Sequence, residues 1–256
     1  MKNNFVDKNK EIYENLYSRK LGFWFAFGVQ QKKKTIKYIL KKLKIPLKNK
    51  KVLDIGFGSG DMLFIFDNSC ELYGIEISEN AVERCSIKAK KLGYKHDFRV
   101  VDLSIKLPLW KEKFDVIICS HVLEHIPNDK DIIKWIAEHL SNSGIAIIAV
   151  PINEKKISQE EDNENELHYR EYTPMEFNNK LNNQNLEVII DESIANDSID
   201  HFLNSIRRKG KIFVVISKML GATFSIMPFP ILSAIDTMFN KFYPYENYTI
   251  VVKGTK

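Results

Sequence analysis

Short apolar runs separated by amphipathic stretches make up the pattern of the chain from about residue 50 onward. Each run has the length of a buried β-strand, and several stretches between them have the spacing of helices with one apolar side. Regular alternation of strand and helix is typical of a doubly wound α/β fold with a parallel sheet. The seven predicted strands are Lys51–Asp54, Glu71–Ser78, Phe98–Leu103, Phe114–Ser120, Ser143–Pro151, Leu186–Ser193 and Tyr248–Lys253.

Capping residues and glycines indicate where three helices of this core begin and end. The predicted helices run from Ser78 to about Leu92 with Gly93 after it, from Asn128 or Asp129 to about Leu140, and onward from Thr173-Pro174. Residues 154–165 are acidic and polar, and they predict a mobile loop at the C-terminal edge of the sheet. Folds of this type bind their ligands at that edge.

The first predicted strand runs into a glycine-rich turn with the sequence DIGFGSGD. Gly56, Gly58 and Gly60 carry no side chains, so the backbone can approach a ligand closely. Glu76 follows Asp54 by 22 positions, where an acid is placed to hold a ribose diol. The turn and the acid together predict a nucleoside-containing cofactor. The glycine spacing differs from the dinucleotide fingerprint, and no P-loop lysine follows.

The segment from Asp54 to Gly60 resembles the first motif of class I S-adenosylmethionine (AdoMet) methyltransferases. That family has a Rossmann-like fold with a seven-stranded, mostly parallel sheet and helices on both faces. The resemblance extends over about residues 50 to 190. It implies that Asp54 stands near the amino group of the methionine part, that Glu76 grips the ribose, and that Asp102 faces the adenine amino group. The implied cofactor-binding residues are Asp54, Gly56, Gly58, Gly60, Glu76, Ile77, Asp102, Leu103 and Ser120. The alternative is an ordinary glycine turn between a strand and a helix.

The predicted domain organisation has four parts. Residues 1–50 form an N-terminal helical lid, 51–194 the AdoMet-binding core, 195–247 a helical insertion and 248–256 the last strand of the core sheet. Because N-terminal helices of this family often cover the cofactor cleft, Tyr13, Tyr17 and Trp24 are candidate lid residues, with core packing as the alternative. The lysines between residues 32 and 50 predict a solvated helix face, with phosphate binding as the alternative.

The insertion contains an almost wholly apolar stretch, residues 212–232. Interruptions at Lys218, Gly221, Pro228 and Pro230 argue against a transmembrane span. The favoured interpretation is a pair of helices packed on the core and forming part of the substrate pocket. The alternative is a helical flap in a membrane interface, anchored by Arg207, Arg208, Lys209 and Lys211.

The fourth predicted strand is followed by the sequence SHVLEHIP, which contains His121, Glu124 and His125. In a helical turn these positions share one face and present two imidazoles and a carboxylate, a set that suits a divalent metal. The string also matches the H-x-x-E-H pattern of inverted zinc peptidases. We reject that interpretation because the turn is short and Pro127 ends it.

A second resemblance sharpens the metal hypothesis. Ubiquinone-pathway O-methyltransferases and small-RNA 2′-O-methyltransferases carry an E-x-x-E-H metal set at this place, and here His121 replaces the first acid. The RNA enzymes also have a later histidine, which His168 resembles. The implied ligands of Mg, Mn, Fe or Zn are His121, Glu124, His125 and His168, and the same three histidines are the catalytic candidates. Without a metal, Glu124 and His125 support the loop, and His125 or His168 acts as general base.

Composition sets outer limits on these interpretations. The chain has 256 residues, 44% of them hydrophobic, which is enough for a sizeable core. Its formal net charge of +5 permits contact with acidic lipid or nucleic acid but requires neither. Three cysteines without CxxC spacing indicate reduced thiols, with Cys119 inside an apolar strand. The N-terminal sequence has no apolar signal core, so we expect a cytoplasmic protein, with peripheral contact at the inner membrane surface as the alternative.

These observations predict an AdoMet-dependent methyltransferase that releases S-adenosylhomocysteine. The expected acceptor is an oxygen of a small or lipid-linked molecule, such as a hydroxylated ring or sugar. Ribose 2′-O-methylation of RNA is a second hypothesis, supported by His168 and the basic N-terminal helix, but nucleic acid is not the expected partner because no RNA-binding module is present. A catalytically silent AdoMet-binding protein is a third hypothesis. A nicotinamide oxidoreductase is disfavoured by the glycine spacing.

Overall fold

A computed structural model describes residues 10–12, 14, 27–152, 168–192, 198–242 and 247–255. The strands are β1 Lys51–Ile55, β2 Glu71–Glu76, β3 Lys95–Val100, β4 Phe114–Ser120, β5 Leu140–Pro151, β6 Leu186–Glu192 and β7 Asn247–Gly254. The helices are α1 Phe27–Lys42, α2 Glu79–Lys91, α3 Asp129–His139, α4 Pro174–Asn182, α5 Ser198–Arg207, α6 Lys211–Ile226 and α7 Phe229–Asn240. The chain divides into two compact units, one of residues 1–20, 46–191 and 250–256, the other of residues 21–45 and 192–249.

The strands form one seven-stranded sheet in the order β3-β2-β1-β4-β5-β7-β6. The pairs from β3 through β5 are parallel, which confirms the predicted mostly parallel Rossmann-like sheet. The two central strands, β1 and β4, are largely buried on both faces, as a parallel sheet covered by helices requires. Strand order reverses between β1 and β4, so the carboxyl ends of these strands flank the crevice where such sheets bind ligands.

Two strands, β3 and β5, begin three residues earlier than predicted. β3 pairs with β2 from Lys95 through Val100, so it begins three residues before the predicted start and ends two residues before Asp102. At the sheet edge backbone pairing continues through polar residues, which an apolar run does not reveal. β5 begins at Leu140, directly after α3, rather than at Ser143. Because β3 ends at Val100, Asp102 lies in the loop after this strand.

The predicted helix ends of the core are confirmed. The Ser78 hydroxyl accepts a hydrogen bond from the Ala81 N–H at the start of α2, and Gly93 follows the helix with a φ of +78°. Thr173 and Glu176 form a reciprocal capping box at the start of α4, with a proline in its first turn. Both features are local, so the sequence alone locates them.

The second unit consists of α1, α5, α6 and α7 around a core of Phe27, Ile199, Leu203 and Leu232. The pair of helices predicted around residues 212–232 corresponds to α6 and α7, and α5 is a further helix of the insertion that was not predicted. Residues 21–45, predicted as part of the N-terminal lid, belong to the same unit as these helices. The candidate lid residues at positions 13, 17 and 24 and the predicted loop 154–165 lie outside the described residues. In the part of the chain that the structure describes, every helix is too short or too polar to span a bilayer.

The three cysteines are free and buried, as predicted for Cys119. Burial raises the pKa of the Cys85 thiol to about 12 and that of Cys119 well above its ordinary value. Neither thiol is therefore ionised near neutral pH.

Candidate active site

The turn after β1 is shaped by three glycines in the left-handed region. The φ angles of Gly56, Gly58 and Gly60 are +70°, +51° and +71°. Inside the turn the Gly60 N–H donates to the Phe57 carbonyl at 2.7 Å, and the Gly56 N–H donates to the Ile75 carbonyl of β2 at 2.7 Å. The turn is thus held against the end of β2 by its own backbone.

The first glycine of this turn packs directly against the segment that follows β4. A Cβ atom at Gly56 would lie 2.4 Å from Cγ2 of Val122. Val122 stands between His121 and the one-turn 3₁₀ helix Leu123–His125. The missing side chain therefore brings the glycine turn and the His/Glu segment together at one edge of the sheet.

We expect Gly56→Ala to lower the free energy of unfolding more than Gly93→Ala does. Both glycines have positive φ, which costs alanine about 1–2 kcal/mol, but at Gly93 the nearest atom to a new Cβ is 4.0 Å away. The clash with Val122 at Gly56 adds about 1–3 kcal/mol of overpacking. Urea unfolding of the two variants measures the difference, and equal losses would contradict the close packing.

Glu76 lies at the end of β2 and is buried beside the glycine turn. Its carboxylate accepts hydrogen bonds from the Gly58 N–H at 2.8 Å, the Ile77 N–H at 2.8 Å and the Ser78 N–H at 3.1 Å. Burial raises the pKa of Glu76, although these three donors act in the opposite direction. One hydrogen bond thus links Gly58, the second glycine of the turn, to Glu76, the acid predicted to bind the ribose.

Asp54 is buried in β1 just before the turn. Burial raises its pKa well above the ordinary value, and the charge of Glu76 raises it further. A positively charged ligand group would therefore stabilise the ionised form of Asp54.

The remaining predicted cofactor residues follow the neighbouring strands. The Val101 N–H donates to the Glu76 carbonyl at 2.9 Å and so fixes the loop after β3 beside the end of β2. In this loop Oδ1 of Asp102 accepts from the Ser104 N–H at 2.9 Å and closes a turn. The side chains of Ile77, Leu103 and Ser120 are half-buried.

Glu124 forms the centre of the His/Glu segment. Its side chain is fully buried, and among the described residues no hydrogen bond of good geometry reaches either carboxylate oxygen. Nδ1 of His121 lies 3.3 Å and Nε2 of His125 lies 3.9 Å from Oε1 of Glu124. Burial acts to raise the pKa of Glu124, but the contacts with the two imidazoles outweigh it and lower the pKa.

Three of the four predicted metal ligands come together. Glu124, His125 and His168 each present a ligand atom, and these atoms lie within 4.8 Å of one another. The imidazole rings of His125 and His168 are 5.0 Å apart and tilted by 67°. His121 approaches Glu124 but lies outside this group. Its φ of +56° is left-handed, so the helical turn begins only at Leu123.

A network that the sequence did not reveal anchors the chain next to His168. The N–H groups of Tyr169 and Arg170 donate to the Glu124 carbonyl at 2.7 and 3.2 Å. Arg170 also forms an ion pair with the buried carboxylate of Asp129, which accepts from the Tyr172 hydroxyl at 2.9 Å. Burial alone would raise the pKa of Asp129, but hydrogen bonds from Arg170 and Lys180 lower it. The only signal in the sequence is the H-x-R-x-Y spacing before α4.

Glu14 is a second residue that sequence analysis missed. Its carboxylate accepts from the Ser78 hydroxyl and from Nδ2 of Asn80, the latter at 2.7 Å. The charge of Glu14 also contributes to the raised pKa of Glu76. Glu14 therefore contacts the start of α2 next to Glu76, the predicted ribose-binding acid.

The sequence matches a family described as a methyltransferase domain over residues 46–197, which is more than half of the chain. Two relatives are ubiquinone biosynthesis O-methyltransferases. That of Pelagibacter ubique is 36% identical over 108 residues, 41% of this chain and 43% of the relative. That of Rickettsia prowazekii is 26% identical over 156 residues, 59% of this chain and 60% of the relative. The chain thus spans about half of the length of these relatives.

A solved structure with the same fold is the 1,6-didemethyltoxoflavin-N1-methyltransferase of Burkholderia thailandensis with bound 1,6-didemethyltoxoflavin and S-adenosylhomocysteine. The TM-score is 0.63 and the sequence identity 14%, with 99% of this chain and 90% of that chain covered. At this identity the likeness concerns the fold. The family match, the sheet order and the glycine turn agree, and the chain belongs to the methyltransferase domain family of class I AdoMet-dependent methyltransferases.

Proposed function

We propose that this protein transfers the methyl group of AdoMet to an oxygen atom of a small or lipid-linked hydroxylated acceptor, with a divalent metal at Glu124, His125 and His168. The observation that carries the proposal is the buried carboxylate of Glu124, which has no hydrogen bond of good geometry within the described part of the chain and lies beside the imidazoles of His121 and His125. This group stands on the segment that packs against the first glycine of the predicted cofactor turn. The methyl group of AdoMet and the acceptor oxygen would therefore lie close together at one edge of the sheet.

Binding of AdoMet is proposed to depend on Glu76 and Asp54, which have different surroundings. Glu76 is proposed to accept hydrogen bonds from the ribose diol, since its carboxylate is already positioned by backbone N–H groups of the turn. Asp54 is proposed to face the amino group of the methionine part, because a buried acid with a raised pKa gains most from a cationic neighbour. The loop at Asp102 and Leu103 would border the adenine, with Ile77 and Ser120 at the adjoining strand ends.

The metal ligands fit the chemistry of a divalent ion. A buried carboxylate whose hydrogen bonds are incomplete, as those of Glu124 are among the described residues, costs about 1–3 kcal/mol or more, and coordination of a cation would offset that cost. One carboxylate oxygen and two imidazole nitrogens are a donor set found with zinc, iron and manganese. When bound, such an ion would lower the pKa of an acceptor hydroxyl and fix its position. His121 would support Glu124 from the other side.

The side chains of this segment would also handle the proton of the acceptor. A hydroxyl is a poor nucleophile near neutral pH, so a base that removes its proton during transfer accelerates the reaction by about 100- to 10,000-fold. His125 or His168 would serve as this base if no metal is bound. The backbone bonds from Tyr169 and Arg170 to Glu124 would hold the second histidine in reach.

The acceptor class is inferred from the names of the relatives and from the site. The two curated relatives are named O-methyltransferases of ubiquinone biosynthesis, and vicinal hydroxyls on a ring or sugar suit a metal at this place. We also propose the cytoplasm as the compartment, because three buried, unpaired thiols are typical of a reducing environment.

An acceptor screen with and without chelator tests this function. The purified protein is incubated with AdoMet and with catechols, sugars, polyprenyl-linked phenols or short RNA, and release of S-adenosylhomocysteine is measured. We expect methylation of an oxygen on a small or lipid-linked acceptor, loss of activity with chelator, and restoration by one of Mg²⁺, Mn²⁺, Fe²⁺ or Zn²⁺.

The matched variants are Glu124→Gln, which should not regain activity with any ion, and Glu138→Gln on the exposed surface of α3, which should behave as the unchanged protein. Methylation restricted to nitrogen, carbon or RNA would contradict the acceptor class. Activity that survives metal removal would contradict the metal assignment alone.

A further inference from the structure

The outer face of α6 is apolar, although it faces solvent. Ile212, Val215, Met219 and Ile226 are 76%, 57%, 67% and 83% exposed. Together with Ile216 they are spaced i, i+3, i+4, i+7 and i+14, which places them on one side of a helix. The opposite, buried side carries Ser217 and Gly221. The helix therefore packs through small residues and presents its large apolar residues outward.

The neighbouring helix α7 has a similar outward row. Ile231, Met238 and Phe242 are more than half exposed and are spaced i, i+7 and i+11, with Phe242 just beyond the end of the helix. We call the exposed apolar residues of α6 the outer stripe; those of α7 form a separate exposed row. A row of large apolar side chains exposed along one side of a helix indicates a binding surface.

The exposed charged side chains of residues 198–242 are all basic. Within residues 198–242 the exposed Lys and Arg side chains are Arg208, Lys209, Lys211, Lys218 and Lys241. The only two acids of this segment are Asp200, which is half-buried, and Asp236, which is buried and accepts from the Ile199 N–H at 2.8 Å. Arg208, Lys209 and Lys211 directly precede Ile212, so the basic group adjoins one end of the stripe.

We propose that the outer stripe and the adjoining basic residues form a surface that binds the headgroup region of an anionic lipid bilayer. An amphipathic helix binds in the plane of a membrane when its apolar side enters the acyl boundary and its cations meet anionic lipid. α6 has 16 residues and a length of about 24 Å, less than the hydrocarbon thickness of about 30 Å. The helix therefore lies in the interface rather than across it.

A second copy of the chain is the competing occupant of this surface. A symmetric dimer through the outer stripe would bring together two sets of basic residues, and residues 198–242 expose no acid that could pair with them, which opposes association. An anionic bilayer supplies both the apolar phase and the opposite charge.

Vesicle flotation of the full chain tests the proposal, with vesicles of phosphatidylcholine alone or with 30% phosphatidylglycerol. We expect the protein to float with the anionic vesicles and to bind them at least about tenfold more tightly than neutral ones. Ile212→Asp/Met219→Asp and, separately, Arg208→Glu/Lys209→Glu should each reduce binding to anionic vesicles by at least about tenfold.

Matched controls carry the same substitutions elsewhere. Leu109 and Ile105 are 92% and 77% exposed in the first unit, and Leu109→Asp/Ile105→Asp should leave vesicle binding unchanged. Lys106→Glu/Lys111→Glu makes the same change of charge at exposed positions and should weaken binding by less than about threefold. Thermal melts establish that the variants are folded.

Absence of flotation with anionic vesicles would overturn the proposal. Equal losses in the stripe variants and their controls would also overturn it. Light scattering that shows a dimer abolished by Ile212→Asp/Met219→Asp, without vesicle binding, would assign the outer stripe to a second copy instead.

Discussion

Replacing His125 with alanine is expected to lower kcat by about 100- to 10,000-fold, while the Kd for S-adenosylhomocysteine changes by less than about threefold. The imidazole lies with Glu124 and His168 in the proposed metal or base group, so its loss affects the acceptor step. The proposed donor contacts come from other strand ends, above all Glu76. Initial-rate kinetics and calorimetry of the same preparation measure the two quantities.

The control for this variant is His96→Ala. His96 is exposed on β3, and its loss should leave kcat within about twofold of the unchanged protein. Parallel losses of kcat and of cofactor affinity in His125→Ala would contradict the assignment of His125 to the acceptor side.

Replacing Glu76 with glutamine is expected to weaken binding of S-adenosylhomocysteine by about 100-fold. Two hydrogen bonds from a ribose diol to an ionised carboxylate contribute roughly 3 kcal/mol or more, and an amide can accept only through one atom. The substitution preserves shape, but both carboxylate oxygens accept backbone N–H groups, so the amide also loses one of these contacts to the turn. Thermal melts of the variant measure that loss separately from the loss of affinity. Titration calorimetry gives the Kd directly.

Glu71→Gln provides a matched comparison at the other end of the same strand. Glu71 is the half-buried first residue of β2, and its Oε1 lies 3.9 Å from Nζ of Lys95. Its replacement should leave the Kd within about twofold. If Glu76→Gln binds S-adenosylhomocysteine as tightly as Glu71→Gln does, the ribose assignment is wrong.

The fold could be predicted because its determinants are local and periodic. Seven apolar runs, the Ser78 cap and the Thr173-Pro174 helix start all correspond to elements of the structure. The starts of β3 and β5 could not be predicted from apolar runs. In β3, the pairing through Lys95, His96 and Asp97 depends on the neighbouring strand and not on an apolar pattern. The helix α5 was not predicted because its sequence is much less apolar than the stretch at residues 212–232. In that stretch Pro230, an interruption of the apolar pattern, lies in the first turn of α7.

The parts of the candidate site that could be predicted are those whose residues are brought together by their spacing in the sequence or by neighbouring strand ends. Glu76 and the glycine turn meet because adjacent parallel strands bring their carboxyl ends together. Glu124 and His125 are neighbours in sequence, and His168 joins them through backbone bonds that no spacing encodes. Asp129 is a further case, because its role depends on Arg170, 41 positions away, and on burial that only the folded chain creates.

The central claim is that Glu76 and the glycine turn hold the nucleoside of AdoMet, and a structure of the protein with S-adenosylhomocysteine tests it most directly. We predict ribose hydroxyls within about 2.5–3.2 Å of the Glu76 carboxylate oxygens, with the amino-acid part along Gly56 to Gly60. A ligand bound away from Glu76, with the carboxylate contacting only the N–H groups of Gly58, Ile77 and Ser78, would contradict the claim.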